Sequence, residues 1–164
     1  LEIVEATRFD RAMTKGRTLP LLLAAEFSDG RSVELIGKFS HGGQIGAIGL
    51  AREAISAMLA ADLGLPVPNP LLVTISDAFI ETVPNPDAAD LLRQSLRVGF
   101  GSSKLPGGYV VWPDGNGVSK RMLAQAAEIF AFDALIQNAD RHPKNPNMQV
   151  NIRPAMMEMQ KVLI

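Results

Sequence analysis

The stretch LLLAAEFSDGRSVELIGKFS, residues 21–40, decides how the first half of this chain is expected to fold. Two runs of strand-forming residues flank Ser28–Arg31, whose central Asp-Gly pair is typical of a tight turn. The stretch therefore predicts a β-hairpin. Lys38 lies late in its second strand, on the face opposite to Leu35 and Phe39.

Further strands and one helix surround the predicted hairpin. Three more runs have the composition of strands, and they are residues 2–9, 71–76 and 78–83. A tight turn at Ser76-Asp77 would join the last two. Residues 47–63 predict a helix, because Gly64 and the prolines that follow it are typical of a helix end. The first eighty residues are therefore expected to be mostly β with one main helix.

The second half is predicted to begin with a connector. Residues 84–117 contain Pro, Gly, Ser and Asp throughout, which indicates a connector or lobe boundary rather than a core, with one short helix near residues 88–96. Ser119 would then cap a long helix over residues 120–139. This helix is apolar on most of its circumference, so we expect it to lie in the interior.

The composition narrows the class of protein. The chain has 164 residues, of which 47% are hydrophobic and 20% charged, so one domain or two small lobes can bury a core. A net charge of −1 argues against direct nucleic-acid binding. No polybasic or membrane-length apolar segment occurs, so no membrane contact is expected. Because there is no cysteine, thiol chemistry is excluded, and we predict a cytoplasmic protein.

Lys38 and Glu53 form the first candidate site. A lysine at a strand end is usually solvated, and a glutamate on an alanine-rich helix can equally face water. Glu53, however, projects from the helix side lined by Ala57 and Ala60, where a carboxylate needs a cation to offset its desolvation. Since Lys38 lies on the strand immediately before this helix, we predict an ion pair between the two side chains.

A glycine-rich loop separates these two residues. Its glycines, from Gly42 to Gly49, follow the spacing GGxxGxxG rather than the GxGxxG of dinucleotide-binding proteins. The strands also come in pairs instead of alternating with helices. We therefore interpret the loop mainly as a flexible connector, and the sequence does not support a phosphate contact there.

Polar side chains gather where the long helix is expected to end. Asp133, Gln137 and Asp140 lie at i, i+4 and i+7 and would form one polar stripe. In phosphoryl transfer a carboxylate such as Asp140 orients or deprotonates the acceptor hydroxyl, and an asparagine such as Asn145 ligates Mg²⁺. The alternative is a plain polar helix end, in which the cations after Asp140 offset its charge at the helix C-terminus. We favour phosphoryl transfer.

The order of these parts resembles the small lobe of a kinase followed by the start of its large lobe. Four stretches resemble the HipA-like kinases, and they are GRTLPLLL, GLAREAISAMLAADLGLPVPNP, GFGSSKLPGG and FDALIQNADRHPKNPN. The last resembles the branch whose catalytic loop reads DRHxxN, a pattern shared with phosphatidylinositol kinases. The resemblance implies an α+β, protein-kinase-like fold: a nucleotide-binding N-lobe at 1–83, a hinge or connector at 84–117, and the start of a C-lobe at 118–164.

The resemblance also implies roles for single residues in nucleotide binding. Lys38 would contact the nucleotide phosphates, with Glu53 as its partner. Lys15 and Gly16 fall where a phosphate-covering loop would lie, although the full glycine-rich kinase loop is missing. Adenine is expected near Phe100–Leu105.

In the catalytic loop, the resemblance implies that Asp140 is the catalytic aspartate. Asp140 and Asn145 would together hold Mg²⁺. Arg141 and His142 match the motif and are expected to brace the loop rather than to react.

These roles describe an ATP- and Mg²⁺-dependent phosphotransferase that acts on a Ser/Thr hydroxyl of a protein. Two alternatives stay open at this point. One is a truncated or degenerate kinase fold that binds nucleotide or a partner without transfer, and the other is a small-molecule or lipid kinase. The resemblance also raises a small DNA-binding partner protein and a toxin–antitoxin role, which no residue here indicates.

The end of the chain departs from the family pattern. KVLI resembles the strand that precedes the family's second metal-binding Asp, and that Asp would follow Ile164. The chain also begins with Leu1 rather than Met, so we expect a trimmed chain. Without the second Asp, the chain as given is expected to lose most phosphoryl-transfer activity.

Overall fold

The computed structural model describes residues 1–13, 18–42, 46–111, 120–138, 141, 148–151 and 159–161. The chain divides into two compact units of mixed α and β structure. The first comprises residues 1–55 and 69–104, and the second comprises residues 56–68 and 105–164. Among the described residues, no helix combines the length and the apolar character needed to cross a membrane.

The first unit is built on a closed five-stranded barrel. Its strands are β1 (Glu2–Ala12), β2 (Leu21–Phe27), β3 (Ser32–Lys38), β4 (Pro70–Thr74) and β5 (Val98–Ser103), in the order β1-β2-β3-β5-β4. The predicted β2–β3 hairpin is confirmed, with Leu23 opposite Leu35. Neighbouring strands are antiparallel except β1 and β4, which pair in parallel and close the barrel. The sequence predicted a β-rich lobe but not this closure.

The core of the first unit lies inside the barrel and beneath two short helices. Alternate strand residues point inward, as the two-residue repeat of a strand requires. They include Val4, Leu21, Leu23, Leu35, Leu71 and Val73, all nearly inaccessible to solvent. Phe79, Ile80 and Leu92 from the helices join the same cluster.

The first of these helices corrects a prediction. Residues 78–83 do not form a strand, because α2 (Asp77–Glu81) occupies most of this stretch. Ser76 caps the helix, since its Oγ accepts a hydrogen bond of 3.2 Å from the backbone N–H of Phe79. The consecutive residues Phe79 and Ile80 are both buried, whereas successive residues of a strand would point to opposite faces.

The prediction that residues 84–117 lack a core role is wrong for their first part. Asn85 caps α3 (Pro86–Gln94), accepting a hydrogen bond of 2.9 Å from the Ala88 N–H, and the buried face of α3 contributes to the core. β5 then runs between β3 and β4. Its glycines suggested a loop, but a Cβ on Gly101 would lie 2.6 Å from a methyl group of Val73, so they permit close strand packing.

The main helix, α1 (Gly46–Asp62), matches its prediction to within one residue at each end.

The second unit contains a 3₁₀ turn (Lys120–Met122) and α4 (Leu123–Leu135). Its antiparallel sheet is formed by β6 (Tyr109–Val111), β7 (Met148–Asn151) and β8 (Met159–Lys161), in that order. Among the described residues of this unit, Ala60, Leu65 and Phe132 form one small apolar cluster, and Met122 and Ile129 form another.

Helix α4 is shorter and more exposed than predicted. It starts at Leu123, its N-cap Met122 makes no side-chain capping bond, and the predicted cap Ser119 lies outside the described residues. It ends at Leu135, and Gln137 has a left-handed backbone with φ of +54°. Gln137 therefore does not continue a helical stripe from Asp133. The helix is also not interior among the described residues, because Leu123, Phe130 and Leu135 are each more than half exposed.

Candidate functional site

Lys38 and Glu53 meet in the first unit, as the sequence predicted. Lys38 is the last residue of β3, opposite Phe100 of β5, and its side chain is only 5% exposed. Its Nζ donates a hydrogen bond of 2.7 Å to Oε1 of Glu53 on α1, whose side chain is 23% exposed. The contact is therefore a largely buried ion pair between a strand and the helix that follows it.

The backbone of β5 approaches Lys38 closely. A Cβ on Gly99 would lie 2.6 Å from the carbonyl oxygen of Lys38 and 2.7 Å from the ring of Phe39, which is itself buried. Only glycine fits such a position without a shift of the backbone. This role was not predicted, although Gly99 and Gly101 share one face of the strand, a pattern that indicates close approach of a neighbouring strand.

The two residues after Phe39 are also anchored. The backbone N–H of His41 donates a hydrogen bond of 2.9 Å to Oγ of Ser95, and the N–H of Leu96 donates one of 2.9 Å to Oγ of Ser40. Ser95 in turn donates to the carbonyl of Leu91 at the end of α3. These reciprocal bonds hold residues 40–41, which follow Lys38 in the sequence, against residues 95–96.

The glycine loop begins with a packed residue rather than a flexible one. Gly42 is buried, and a Cβ there would lie 2.3 Å from the carbonyl oxygen of Thr18. Its N–H donates to the carbonyl of Phe39 at 2.9 Å. The prediction of a flexible connector is therefore wrong for Gly42, while residues 43–45 lie outside the described part of the chain.

The Lys38–Glu53 pair leaves hydrogen-bonding capacity unused. An ammonium group has three N–H donors, and Glu53 is the only hydrogen-bond partner of the Lys38 Nζ among the described residues. Oε2 of Glu53 is buried and has no partner within the same residues. Because buried polar atoms are normally satisfied, this arrangement suits an additional ligand beside the pair.

A second buried cluster lies in the second unit, at the C-terminal end of α4. The side chain of Asp133 is 8% exposed, and its Oδ1 accepts a hydrogen bond of 3.0 Å from Nδ2 of Asn138. Its Oδ2 accepts from Nε of Arg141, whose side chain is 14% exposed. Both carboxylate oxygens therefore bind protein donors. The expectation that Arg141 braces the loop agrees with this contact, but the sequence analysis missed Asn138.

A comparison with known protein families identifies the chain. Residues 11–164 match the family model described as HipA-like kinase. The chain belongs to the HipA-like kinase family. No curated protein and no solved structure gives a significant match. Membership confirms the resemblance found in the sequence and indicates a kinase-type phosphotransferase, a class that generally uses ATP and Mg²⁺.

Other predicted site residues of this HipA-like kinase lie outside the described part of the chain. They are Lys15, Gly16, Asp140, His142 and Asn145. The predicted adenine segment starts on β5, where buried Phe100 lies beside Lys38. Among the described residues, no group of three His, Asp or Glu side chains could hold a metal ion, and the metal ligation by Asp140 and Asn145 stays a prediction.

A separate cleft of about 690 Å³ lies on the barrel of this kinase, near the β2–β3 turn. It is lined by Glu2, Glu5, Glu26, Asp29 and Arg31 among others, and it contains neither Lys38 nor Glu53. Four of these five side chains are acidic. Such a lining repels phosphate, so the buried lysine is the better candidate for a nucleotide site.

Proposed function

We propose that this HipA-like kinase binds Mg-ATP beside Lys38 and transfers the γ-phosphoryl group to a Ser or Thr hydroxyl of a protein. The proposal joins the family membership to one feature of the first unit, the buried Lys38–Glu53 pair. It also assigns residues 1–83 to an N-lobe, 84–117 to a hinge or connector, and 118–164 to the start of a C-lobe.

The incomplete hydrogen bonding of the pair carries the proposal. A buried ion pair is seldom worth more to stability than an apolar pair of similar volume, so stability alone does not explain it. Lys38 has two N–H donors beyond its bond to Glu53, and they suit the oxygens of a phosphate, which forms strong charge-assisted hydrogen bonds. Glu53 sets the direction of the ammonium group, because it holds one of the three N–H bonds.

The chemistry assigned to the catalytic loop follows from its residue types and from the family motif. The oxygen of the acceptor hydroxyl attacks the γ-phosphorus, the bond to the β–γ bridging oxygen breaks, and ADP leaves with that electron pair. Asp140 accepts the hydroxyl proton. Asp140 and Asn145 offer the hard oxygen ligands that Mg²⁺ prefers and would hold the ion, which would neutralise phosphate charge when bound.

Nucleotide-dependent thermal stabilisation of the full chain tests the binding step. Mg-ATP at millimolar concentration should raise the melting temperature, because a ligand that binds only the folded state stabilises it. Lys38→Ala should abolish this shift. Arg93→Ala is the matched control, since Arg93 belongs to an exposed ion pair on α3 and should leave the shift unchanged. Absence of any shift in the unaltered protein would falsify nucleotide binding.

A second variant separates binding from transfer. Asp140→Asn should keep the thermal shift but lower phosphorylation of a protein acceptor by about 10²–10⁴-fold, the usual contribution of general base catalysis. The readout is the intact mass of the acceptor. A thermal shift without transfer in the unaltered protein supports the non-catalytic binding module instead, and transfer only to lipid or small molecules supports the other alternative.

A further inference from the structure

The end of α4 is closed by a set of bonds that converge on Asp133. The N–H of Gln137 donates to the carbonyl of Ala134 at 3.3 Å, and the N–H of Asn138 donates to the carbonyl of Asp133 at 2.9 Å. Because Gln137 has a left-handed backbone conformation, these two bonds form a Schellman motif at the C-terminus of the helix. Glycine usually occupies the left-handed position, so glutamine there needs support from its surroundings.

The side chain of Asp133 supplies that support. Its Oδ1 binds the side chain of Asn138, so Asn138 is held by both its backbone and its amide group. Its Oδ2 binds Nε of Arg141 in a nearly buried ion pair. One carboxylate on the last turn of the helix therefore fixes the chain at two points, three residues apart, in the segment that leaves the helix.

The two fixed points enclose the proposed catalytic residue. Asp140 shares a peptide bond with Arg141, which keeps the Cα atoms of the two residues about 3.8 Å apart. Only two residues separate Asn138 from Arg141 in the sequence, so both anchors lie within two positions of Asp140. Catalytic groups lose efficiency steeply when displaced, and an error of about 1 Å costs on the order of 10²-fold in rate.

We propose that Asp133 is a positioning residue for phosphoryl transfer, acting through Arg141 and Asn138 to fix the segment that carries Asp140. The inference rests on the proposed function. It also gives a role to the arginine of the DRHxxN motif. The Nε of Arg141 binds Asp133 and does not contact the phosphates.

The test is a double-mutant cycle of Asp133→Asn, Arg141→Gln and the double variant in the full chain, with Asp90→Asn as the matched control. Asp90 pairs with Arg93 on the exposed face of α3, so its variant should leave kcat unchanged. Each single variant should lower kcat by about 10–100-fold, change the KM for ATP less than about twofold and keep the ATP-induced thermal shift. The double variant should lose no more than either single variant, because both remove the same contact.

Three outcomes would overturn the inference. They are an unchanged kcat in both single variants, losses that multiply in the double variant, and a loss that disappears when the assay is run well below the melting temperature. If Asp133→Asn does not fold, Arg141→Gln alone carries the kcat and KM measurement, because it leaves Asp133 bonded to Asn138. Unfolding of both single variants would show a folding role only. Failure of the unaltered full-length protein to transfer phosphate would instead reject the proposed function.

Discussion

The two units each bury an ion pair, but the pairs use their hydrogen-bonding groups differently. Lys38 and Glu53 lie 15 residues apart on a strand and a helix, joined by one bond, and Oε2 of Glu53 has no partner among the described residues. Asp133 and Arg141 lie eight residues apart, and both oxygens of Asp133 bind donors of their own chain segment. We call the first pair open, because Nζ of Lys38 has N–H donors beyond its bond to Glu53, and the second closed, because both oxygens of its carboxylate bind the protein.

This difference separates two uses of buried charge. An open pair can hold a ligand, because a group with unused donors gains when an anion arrives. A carboxylate whose two oxygens both bind the protein instead fixes the chain segments that it joins. This difference supports the two proposals made above, nucleotide binding by the Lys38–Glu53 pair and placement of the catalytic segment by Asp133.

Removing one partner from either pair should give the largest loss of stability. Lys38→Ala and Asp133→Ala each leave a buried opposite charge, which costs roughly 3 kcal/mol or more in the free energy of unfolding. Asp133→Ala should cost more, because Glu53 keeps 23% exposure and can regain some hydration. Urea unfolding followed by circular dichroism measures both. Equal stability of Asp133→Ala and the unaltered protein would contradict the burial argument.

Replacing both partners by apolar residues should sharpen the contrast. Lys38→Met combined with Glu53→Leu removes both charges together, so stability should change by less than about 1.5 kcal/mol. The ATP-induced thermal shift should nevertheless vanish, since no cation remains for the phosphates. A double variant that still binds ATP would show that Lys38 is not the phosphate contact.

The close contact between the backbones of Gly99 and Lys38 offers a third test. Gly99→Ala places a methyl group against the carbonyl of Lys38, so we expect a loss of about 1–3 kcal/mol, the usual cost of overpacking. Gly107→Ala is the matched control, because a Cβ at that position meets nothing within 4 Å. The two variants should differ clearly in urea midpoint. Equal midpoints would mean that β3 and β5 can separate at low cost.

An exposed pair at the hairpin turn should give the smallest effect. The guanidinium of Arg31, followed by its backbone N–H, holds the pKa of Asp29 below its ordinary value of 3.8. A carboxyl whose pKa is lowered by folding stabilises the protein above that ordinary pKa, and this stabilisation is lost as the pH falls through the folded value. The melting temperatures of the unaltered protein and Asp29→Asn should therefore differ slightly at pH 7 and converge below pH 3.8. A difference that grows on acidification would contradict this assignment.

Local chemistry explains which features were visible in the sequence. The β2–β3 hairpin, α1 and the Lys38–Glu53 contact were predictable, because an Asp-Gly turn, a glycine-proline helix end and a desolvated carboxylate are all local signals. The pair's role in nucleotide binding stays a prediction. So do the roles of Asp140 and Asn145, which lie outside the described residues.

The errors came where tertiary contacts outweighed local preference. Residues 78–83 look like a strand, but the cap at Ser76 and the buried pair Phe79 and Ile80 favour a helix. β5 was not predicted, because glycines in a sequence are typical of loops. Their role, close packing against β3 and β4, depends on contacts with strands that are distant in the sequence. The end of α4 was misplaced because Gln137 adopts a backbone that glycine usually adopts.

The parallel pairing of β1 with β4 has a consequence for how the protein reaches its folded state. The β1–β2–β3 ribbon can form from neighbouring chain segments, but β1 cannot complete its pairing until α1 and β4 have been synthesised and brought back to it. Until then one edge of β1 carries unpaired N–H and C=O groups, which other chains can capture. Such non-local pairing forms slowly. We therefore expect barrel closure to be a late step and the open ribbon to be the species most prone to aggregate during biosynthesis.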